Sequence, residues 1–224
     1  FHSCQYEYTL NYTKKLNDSH YIDVLAGYTT QTTKTEYAIA SASNFANEQL
    51  SFANLQGGST LLSPSSGGTE SILNSVLGRV NYSFNNRYNL TATFRADGSS
   101  RFAENHKWGY FPSVGLSWNA SEESFLRDNK TINDLKLRGS LGVVGNQEIG
   151  DYRYEATYAT KTYSFNNQLV TAYARSNAEN PDLKWEQTSQ YNLGFDLNLF
   201  NRRLGIVADV YYKKTSDLLL DVPV

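Results

Sequence analysis

Apolar and polar residues alternate along residues 87–95 almost without error. One set comprises Tyr88, Leu90, Ala92 and Phe94, and the other comprises Arg87, Asn89, Thr91, Thr93 and Arg95. Because successive side chains of a strand point to opposite faces, this run predicts a strand with one apolar and one polar face. A run of about nine residues is also what a tilted strand needs to cross a hydrocarbon layer. The pattern therefore predicts one strand of a membrane β-barrel wall.

The same alternation recurs along most of the chain. The other predicted strands lie within 6–12, 22–28, 76–84, 110–118, 135–143, 191–199 and 204–212. Tight turns are predicted at 16–19, at Asn85-Asn86 and at Asn201-Arg202, since asparagine tolerates the positive φ that short hairpins require. Together these runs predict about eight antiparallel spanning strands.

Two positions qualify this regular pattern. Pro112 predicts a local irregularity in its strand, because proline cannot donate a hydrogen bond to a neighbouring strand. Residues 121–124 predict the start of a short helix, with a hydroxyl cap and acidic residues in the first turn.

The connections between the predicted strands alternate in length. Those after the first, third, fifth and seventh strands, at 16–19, 85–86, 119–133 and 201–202, are short. Those after the second, fourth and sixth strands are longer, and they include the gaps over 40–70 and 145–183. Outer-membrane barrels have short periplasmic turns and longer extracellular loops, so this rhythm orients the predicted sheet. The second long gap is also predicted to carry a hairpin of its own around Tyr152, Tyr154, Tyr158 and Tyr163.

Composition narrows the functional classes. The chain has 224 residues and a net charge of −2, which gives no reason to expect nucleic acid as a partner. No apolar run approaches the roughly 18 residues of a membrane helix, which excludes a helical membrane protein. The 17 tyrosines, 11 phenylalanines and 3 tryptophans are typical of strands and of aromatic belts at a membrane surface.

The sequence contains no constellation that points to catalysis. His2, His20 and His106 are dispersed without the spacing of metal ligands, and no Gly-x-Ser-x-Gly motif is present. Asp97 and Gly98 offer one carboxylate where calcium takes six to eight oxygens, which favours a structural turn over a metal site. We therefore predict no enzyme, no cofactor and no metal.

Five sequence strings resemble a known family. They are RADGSSRF at 95–102, WGYFPSVGLSW at 108–118, GVVGNQEIGDY at 142–152, NPDLKWEQT at 180–188 and YYKKTSDLLL at 211–220. In this order they resemble the SusC/RagA family of TonB-linked, or TonB-dependent, outer-membrane transporters of Bacteroidetes. The resemblance covers about residues 71–220, and residues 1–70 resemble the family only loosely.

This resemblance implies a barrel of about 22 strands whose lumen is closed by an N-terminal plug. It implies uptake of glycans or peptides across the outer membrane, together with a SusD-like surface lipoprotein and with TonB acting through the plug. We expect residues 1–224 to be part of one barrel domain, since the chain opens on Phe1-His2-Ser3 and closes on Val222-Pro223-Val224, with the plug, the signal peptide and the C-terminal strand outside it.

The orientation of the strands assigns candidate residues to each face and to the loops. Residues predicted to face lipid are Tyr88, Leu90, Phe94, Leu193, Phe195, Leu197, Ile206 and Val210. Residues predicted to face the lumen or contact the plug are Arg95, Arg138, Lys136, Asp196 and Asp209. Loop candidates for ligand or partner binding are Tyr152, Tyr154, Tyr158, Tyr163 and Tyr173, because aromatic faces stack on sugars and pack on protein partners. The alternative that these tyrosines only pack the loop stays open.

Two other architectures also fit the alternation. A soluble β-sandwich has strands with one buried face, and an independent eight-stranded barrel would leave no unpaired strand edge in hydrocarbon. Either would be a structural or adhesive protein without transport activity.

Overall fold

The computed structural model describes residues 1–47, 49 and 51–220, so the closing Val222-Pro223-Val224 lies outside the described residues. The strands are β1 (His2–Lys15), β2 (His20–Phe45), β3 (Gly58–Phe84), β4 (Tyr88–Ser99), β5 (Trp108–Asn119), β6 (Ile132–Asn146), β7 (Thr157–Phe165), β8 (Gln168–Asn177), β9 (Glu186–Leu199) and β10 (Leu204–Ser216). Short 3-10 turns occur at Ser51–Gly57, Glu104–His106 and Ala120–Glu122. In the described part of the chain, no helix is both long and apolar enough to cross a membrane. The predicted all-β class is confirmed.

Eight of the strands form one antiparallel sheet in the order β1-β2-β3-β4-β5-β6-β9-β10, and β7 and β8 form a separate two-stranded sheet. The predicted number of spanning strands is therefore confirmed. β1 and β10 lie at opposite edges, so within residues 1–47, 49 and 51–220 the sheet does not close on itself. The independent eight-stranded barrel is therefore wrong. A sandwich is wrong as well, because the second sheet has two strands and cannot cover eight.

Asparagine forms the tight turns, as the sequence predicts. Asn85 and Asn86 have φ values of 51° and 56° between β3 and β4, and Asn201 has a φ of 58° between β9 and β10. Three residues, 85–87, separate the paired Phe84 and Tyr88, and four residues, 200–203, separate the paired Leu199 and Leu204. Positive φ at the centre of such short loops matches the twist of the flanking strands. These turns set the register of the two hairpins, so that apolar positions of one strand lie beside apolar positions of the next.

The long polar gap predicted over 40–70 is wrong. β2 and β3 continue through most of it and stay paired as far as Phe45 and Gly58. The register shifts between Ile39 and Ser41, and Pro64 lies in the facing segment, where an irregular ladder tolerates proline. These parts of β2 and β3 are rich in serine, glycine and threonine, so they show no apolar alternation. Backbone hydrogen bonds can nevertheless continue the pairing of the two strands.

Two smaller predictions are also corrected. Pro112 pairs with Phe94 in an unbroken register between β4 and β5. Pairing of β5 with β6 starts one residue later, at Ser113, so the ladder with β6 does not need the missing N–H of the proline. The short helix predicted at 121–124 is a single 3-10 turn over Ala120–Glu122, and it has no side-chain cap.

Candidate functional site

The apolar positions of neighbouring strands lie side by side across the sheet. Tyr82 of β3 pairs with Leu90 of β4, which pairs with Leu116 of β5. At the far edge, Leu193 of β9 pairs with Val210 of β10. The alternations of separate strands therefore combine into one face of the sheet, which we call the apolar face.

The described residues leave this apolar face uncovered. Leu116, Leu193 and Val210 are 60%, 71% and 75% exposed. Soluble monomers rarely expose a large contiguous apolar surface, and such a surface marks contact with a membrane or a protein. The apolar face therefore needs a cover that residues 1–47, 49 and 51–220 do not supply.

All the residues predicted to face lipid share the apolar face. They are Tyr88, Leu90, Phe94, Leu193, Phe195, Leu197, Ile206 and Val210. Leu90, Phe195 and Leu197 are half-buried between neighbouring side chains, and the others are exposed. Contact of these residues with lipid stays a prediction.

An aromatic row borders the apolar face at the end with the short turns. The ring centroids of His20 and Phe84 are 4.8 Å apart, those of Phe84 and Tyr88 6.2 Å, and those of Tyr88 and Trp118 6.4 Å. Tyr110 lies eight residues from Trp118 on β5, which is about 27 Å along a strand. Strands of outer-membrane barrels are tilted by about 35–45°, so this spacing covers about 19–22 Å along the membrane normal, most of their apolar band of about 25 Å.

Glu123, in the connection after β5, holds part of this aromatic row. Its carboxylate accepts hydrogen bonds from the Tyr88 hydroxyl at 2.5 Å and the Trp118 indole at 3.2 Å, and it pairs with the Arg87 guanidinium at 3.1 Å. These contacts, the Tyr88 hydrogen bond foremost, lower the pKa of the Glu123 carboxyl. The sequence predicts only a helix-start acid here, because two of its three partners, Arg87 and Tyr88, lie 36 and 35 residues away in the chain.

We expect replacement of Glu123 with glutamine to destabilise the protein in a pH-dependent way. A carboxyl whose folded pKa lies below its unfolded value adds stability above the ordinary pKa of 4.5 and loses it as the pH falls through the folded pKa. Thermal unfolding in detergent should therefore show a Tm gap between wild type and E123Q at pH 6 that shrinks toward acid. The exposed Glu122 provides the control E122Q. A gap that stays constant with pH would contradict this role.

The opposite face of the sheet carries a cluster of charges. Arg138 of β6 lies 3.0 Å from Asp196 and 2.7 Å from Asp209. Lys136 pairs in register with Asp196. A Cβ at Gly194 would lie 2.3 Å from Asp209 Oδ1 and 3.1 Å from Arg138 Cζ, so the glycine leaves the space that the ion pairs occupy.

The structure thus brings four of the five predicted lumen residues together and leaves Arg95 apart. Arg95 pairs with Asp97 at 2.7 Å and donates a hydrogen bond to the Ser75 hydroxyl at 2.9 Å. Asp97 and Ser75 are both buried, so this is a structural contact within the sheet. Orientation of the polar face toward a lumen stays a prediction.

The second long gap forms the predicted hairpin, β7–β8, but it begins at Thr157, later in the chain than expected. Register places Tyr158 and Tyr173 on one face of this hairpin and Tyr163 on the other, and they are 66%, 75% and 63% exposed. Tyr152 and Tyr154 precede the hairpin, and the Tyr152 hydroxyl accepts a hydrogen bond from a backbone N–H of β3 at 3.2 Å. The five loop tyrosines therefore do not form one surface.

The strings that carry the family resemblance meet at the end of the sheet with the long loops. Phe102, Phe111 and Trp185 come from three different strings and are 0%, 6% and 5% exposed. The Trp185 ring lies 5.0 Å from that of Phe102 and 5.4 Å from that of Phe111, and its indole donates to the Lys107 carbonyl at 2.9 Å. We call this buried cluster the loop-end junction.

Polar contacts tie the remaining strings to the same junction. Arg101 pairs with Asp151 at 2.8 Å. Leu219 packs against the aromatic cluster, and its N–H donates to the Glu186 carboxylate at 3.1 Å. The alternation of apolar and polar residues does not predict this junction. The sequence feature that could have indicated it is the presence of aromatic and charged residues outside the apolar positions of the strands.

Comparison with known proteins gives close relatives. TonB-dependent receptor P39 of Formosa agariphila is 40% identical over 224 residues, which are 100% of this chain and 21% of that protein. TonB-dependent receptor SusC of Bacteroides thetaiotaomicron is 42% identical over 161 residues, which are 70% of this chain and 16% of that protein. The chain thus spans about a fifth of the length of the curated relatives it matches.

Solved structures agree with these relatives. The structure of the RagAB peptide transporter matches with a TM-score of 0.88 and 31% identity, over 99% of this chain and 24% of that chain. The RagAB peptide importer in the 'open-open' state matches with a TM-score of 0.84 and 29% identity, over the same shares of the two chains. The TonB dependent receptor-like, beta-barrel family matches residues 2–224. Because the family matches nearly the whole chain and the relatives and the eight-stranded sheet agree with it, the chain belongs to the TonB-dependent receptor β-barrel family.

Proposed function

We propose that this chain forms part of the wall of an outer-membrane importer for nutrients such as oligosaccharides or peptides. The observation that carries the proposal is the uncovered apolar face, for example Leu193 at 71% exposure, on a sheet that belongs to this family. Import by such a wall involves binding and passage without chemistry on the substrate, so we assign no enzymatic step to the chain.

In this proposal the apolar face contacts lipid. Arg95 and the charged cluster of Arg138, Lys136, Asp196 and Asp209 face the lumen or the plug. The unpaired edges of β1 and β10 would continue into further strands of one barrel domain. An open edge in hydrocarbon leaves backbone N–H and C=O groups unpaired at several kcal/mol each, which supports this continuation.

The partners follow from the relatives. Likeness to SusC and to RagAB supports a SusD-like lipoprotein over the loop end and TonB acting through a plug. Tyr158, Tyr163 and Tyr173 project from the β7–β8 hairpin at that end and are the exposed candidates for contact with substrate or lipoprotein. One structural relative is named a peptide transporter, so peptides stand beside glycans as candidate substrates.

Deletion of the gene for the full-length protein tests this proposal. We expect the deletion strain to lose uptake of one class of labelled substrate, either oligosaccharides or peptides, and complementation with the full-length gene to restore it. A protonophore should abolish the restored uptake, since transport depends on energy passed through TonB. Unchanged uptake of both classes would contradict import, and release of the protein from membranes by carbonate without detergent would contradict a barrel wall.

A further inference from the structure

A groove of about 560 Å³ lies on the apolar face. Its lining is mainly apolar and includes Tyr88, Leu116, Trp118, Leu137 and Leu193. Sites that hold small ligands have volumes of about 300–1,000 Å³, so this groove has the size of a binding site. The apolar face around the groove is exposed, so a molecule that covers this face can also enter the groove.

Gly139 of β6 opens the groove in the middle of the sheet. It pairs with Leu116 on one side and Leu193 on the other, so a position without a side chain lies between two long ones. A Cβ at Gly139 would lie 3.1 Å from Leu193 Cδ2. Even a small side chain would therefore begin to fill the groove.

Polar groups lie at the other end of the groove, near the short turns. Tyr88 and Trp118 contribute their rings to the lining, while their O–H and N–H groups donate to Glu123 in the connection beyond β5. Rings held in this way present an apolar body to the groove and a polar tip to the turn end of the sheet. The groove thus runs from an amphipathic end at the turns to an apolar end near Gly139.

We infer that this groove binds one acyl chain of a membrane phospholipid, with the headgroup at the Tyr88 and Trp118 end and the chain extending toward Gly139. The inference rests on the proposed function, which places the apolar face in lipid. An acyl chain fits because the groove is continuous with that face and its lining is mainly apolar, with Asn89, Ser117 and Arg138 as the polar exceptions. The hydroxyl of Tyr88 and the indole N–H of Trp118 mark the end near the turns, where a headgroup would lie.

Native mass spectrometry of the full-length receptor in a mild detergent tests the site. We expect the wild type to retain one phospholipid after detergent washing, and Gly139→Leu to retain at least tenfold less because its side chain fills the groove. Ala26→Leu is the matched control, since Ala26 lies on the same face in β2, pairs with Gly78 and does not line the groove. The control should retain lipid as the wild type does.

The other outcomes overturn the inference. Wild-type retention by G139L, or equal loss in A26L, would mean that the groove holds no specific lipid. A wild-type dimer that G139L dissociates would assign the groove to a second copy of the protein. If G139L fails to assemble, Gly139→Ala replaces it, and unchanged retention there overturns the site. Import by G139L should stay at the wild-type level, so loss of the lipid and failure of import are read separately.

Discussion

Replacement of Phe102 with alanine is expected to lower the free energy of unfolding by about 3 to 5 kcal/mol, the usual cost of emptying a large aromatic site in a core. Phe102 is 0% exposed and packs against Trp185 in the loop-end junction. Urea unfolding of the full-length receptor in phospholipid vesicles measures the effect.

Phe52→Ala is the control for this prediction. It is the same substitution at a side chain that is 87% exposed, on the connection between β2 and β3. We expect it to change the free energy of unfolding by less than about 0.5 kcal/mol. Equal costs for the two variants would show that the junction contributes no packing energy.

Leu193→Arg is expected to cost about 2 to 4 kcal/mol, because a guanidinium on the lipid side of a barrel strand lies in hydrocarbon. Leu193 is 71% exposed on the apolar face, so the cost cannot come from a packed protein core. The same vesicle unfolding experiment measures it.

Asn192→Arg tests the adjacent position on the opposite face. Asn192 is half-buried on the polar side and donates a hydrogen bond to the Ser140 hydroxyl at 3.2 Å. The substitution should be mild there, because an arginine reaches water. The pair Leu90→Arg and Thr91→Arg should repeat the contrast on β4. Similar costs at both members of each pair would contradict the assigned faces.

The features that the sequence predicts correctly are local ones. Alternation has a period of two residues and is visible within one strand, as in residues 87–95. Asn85 and Asn86 predict a tight turn because asparagine itself tolerates positive φ, which both residues adopt. Strand number and hairpin connectivity follow from these two signals.

The features that the sequence misses depend on distant partners or lack apolar residues. The Trp185 indole bonds to Lys107, 78 positions away, and Arg138 reaches Asp209 across 71 positions. No local pattern indicates which loop residue meets which. The parts of β2 and β3 next to their connection, which end at Phe45 and Gly58, are missed for another reason. They are rich in serine, threonine and glycine, so neither face is apolar and no alternation appears.

The assignment of the two faces is tested most directly by spin labels placed singly along β9 of the full-length receptor, reconstituted in phospholipid vesicles with Cys4 and all other cysteines replaced. Labels at Leu193, Phe195 and Leu197 should collide readily with oxygen, which concentrates in hydrocarbon, and labels at Asn192, Asp196 and Asn198 with a water-soluble nickel complex. Oxygen accessibility that does not alternate along β9, or alternates in the opposite phase, would contradict a sheet with one face in lipid and the other in water.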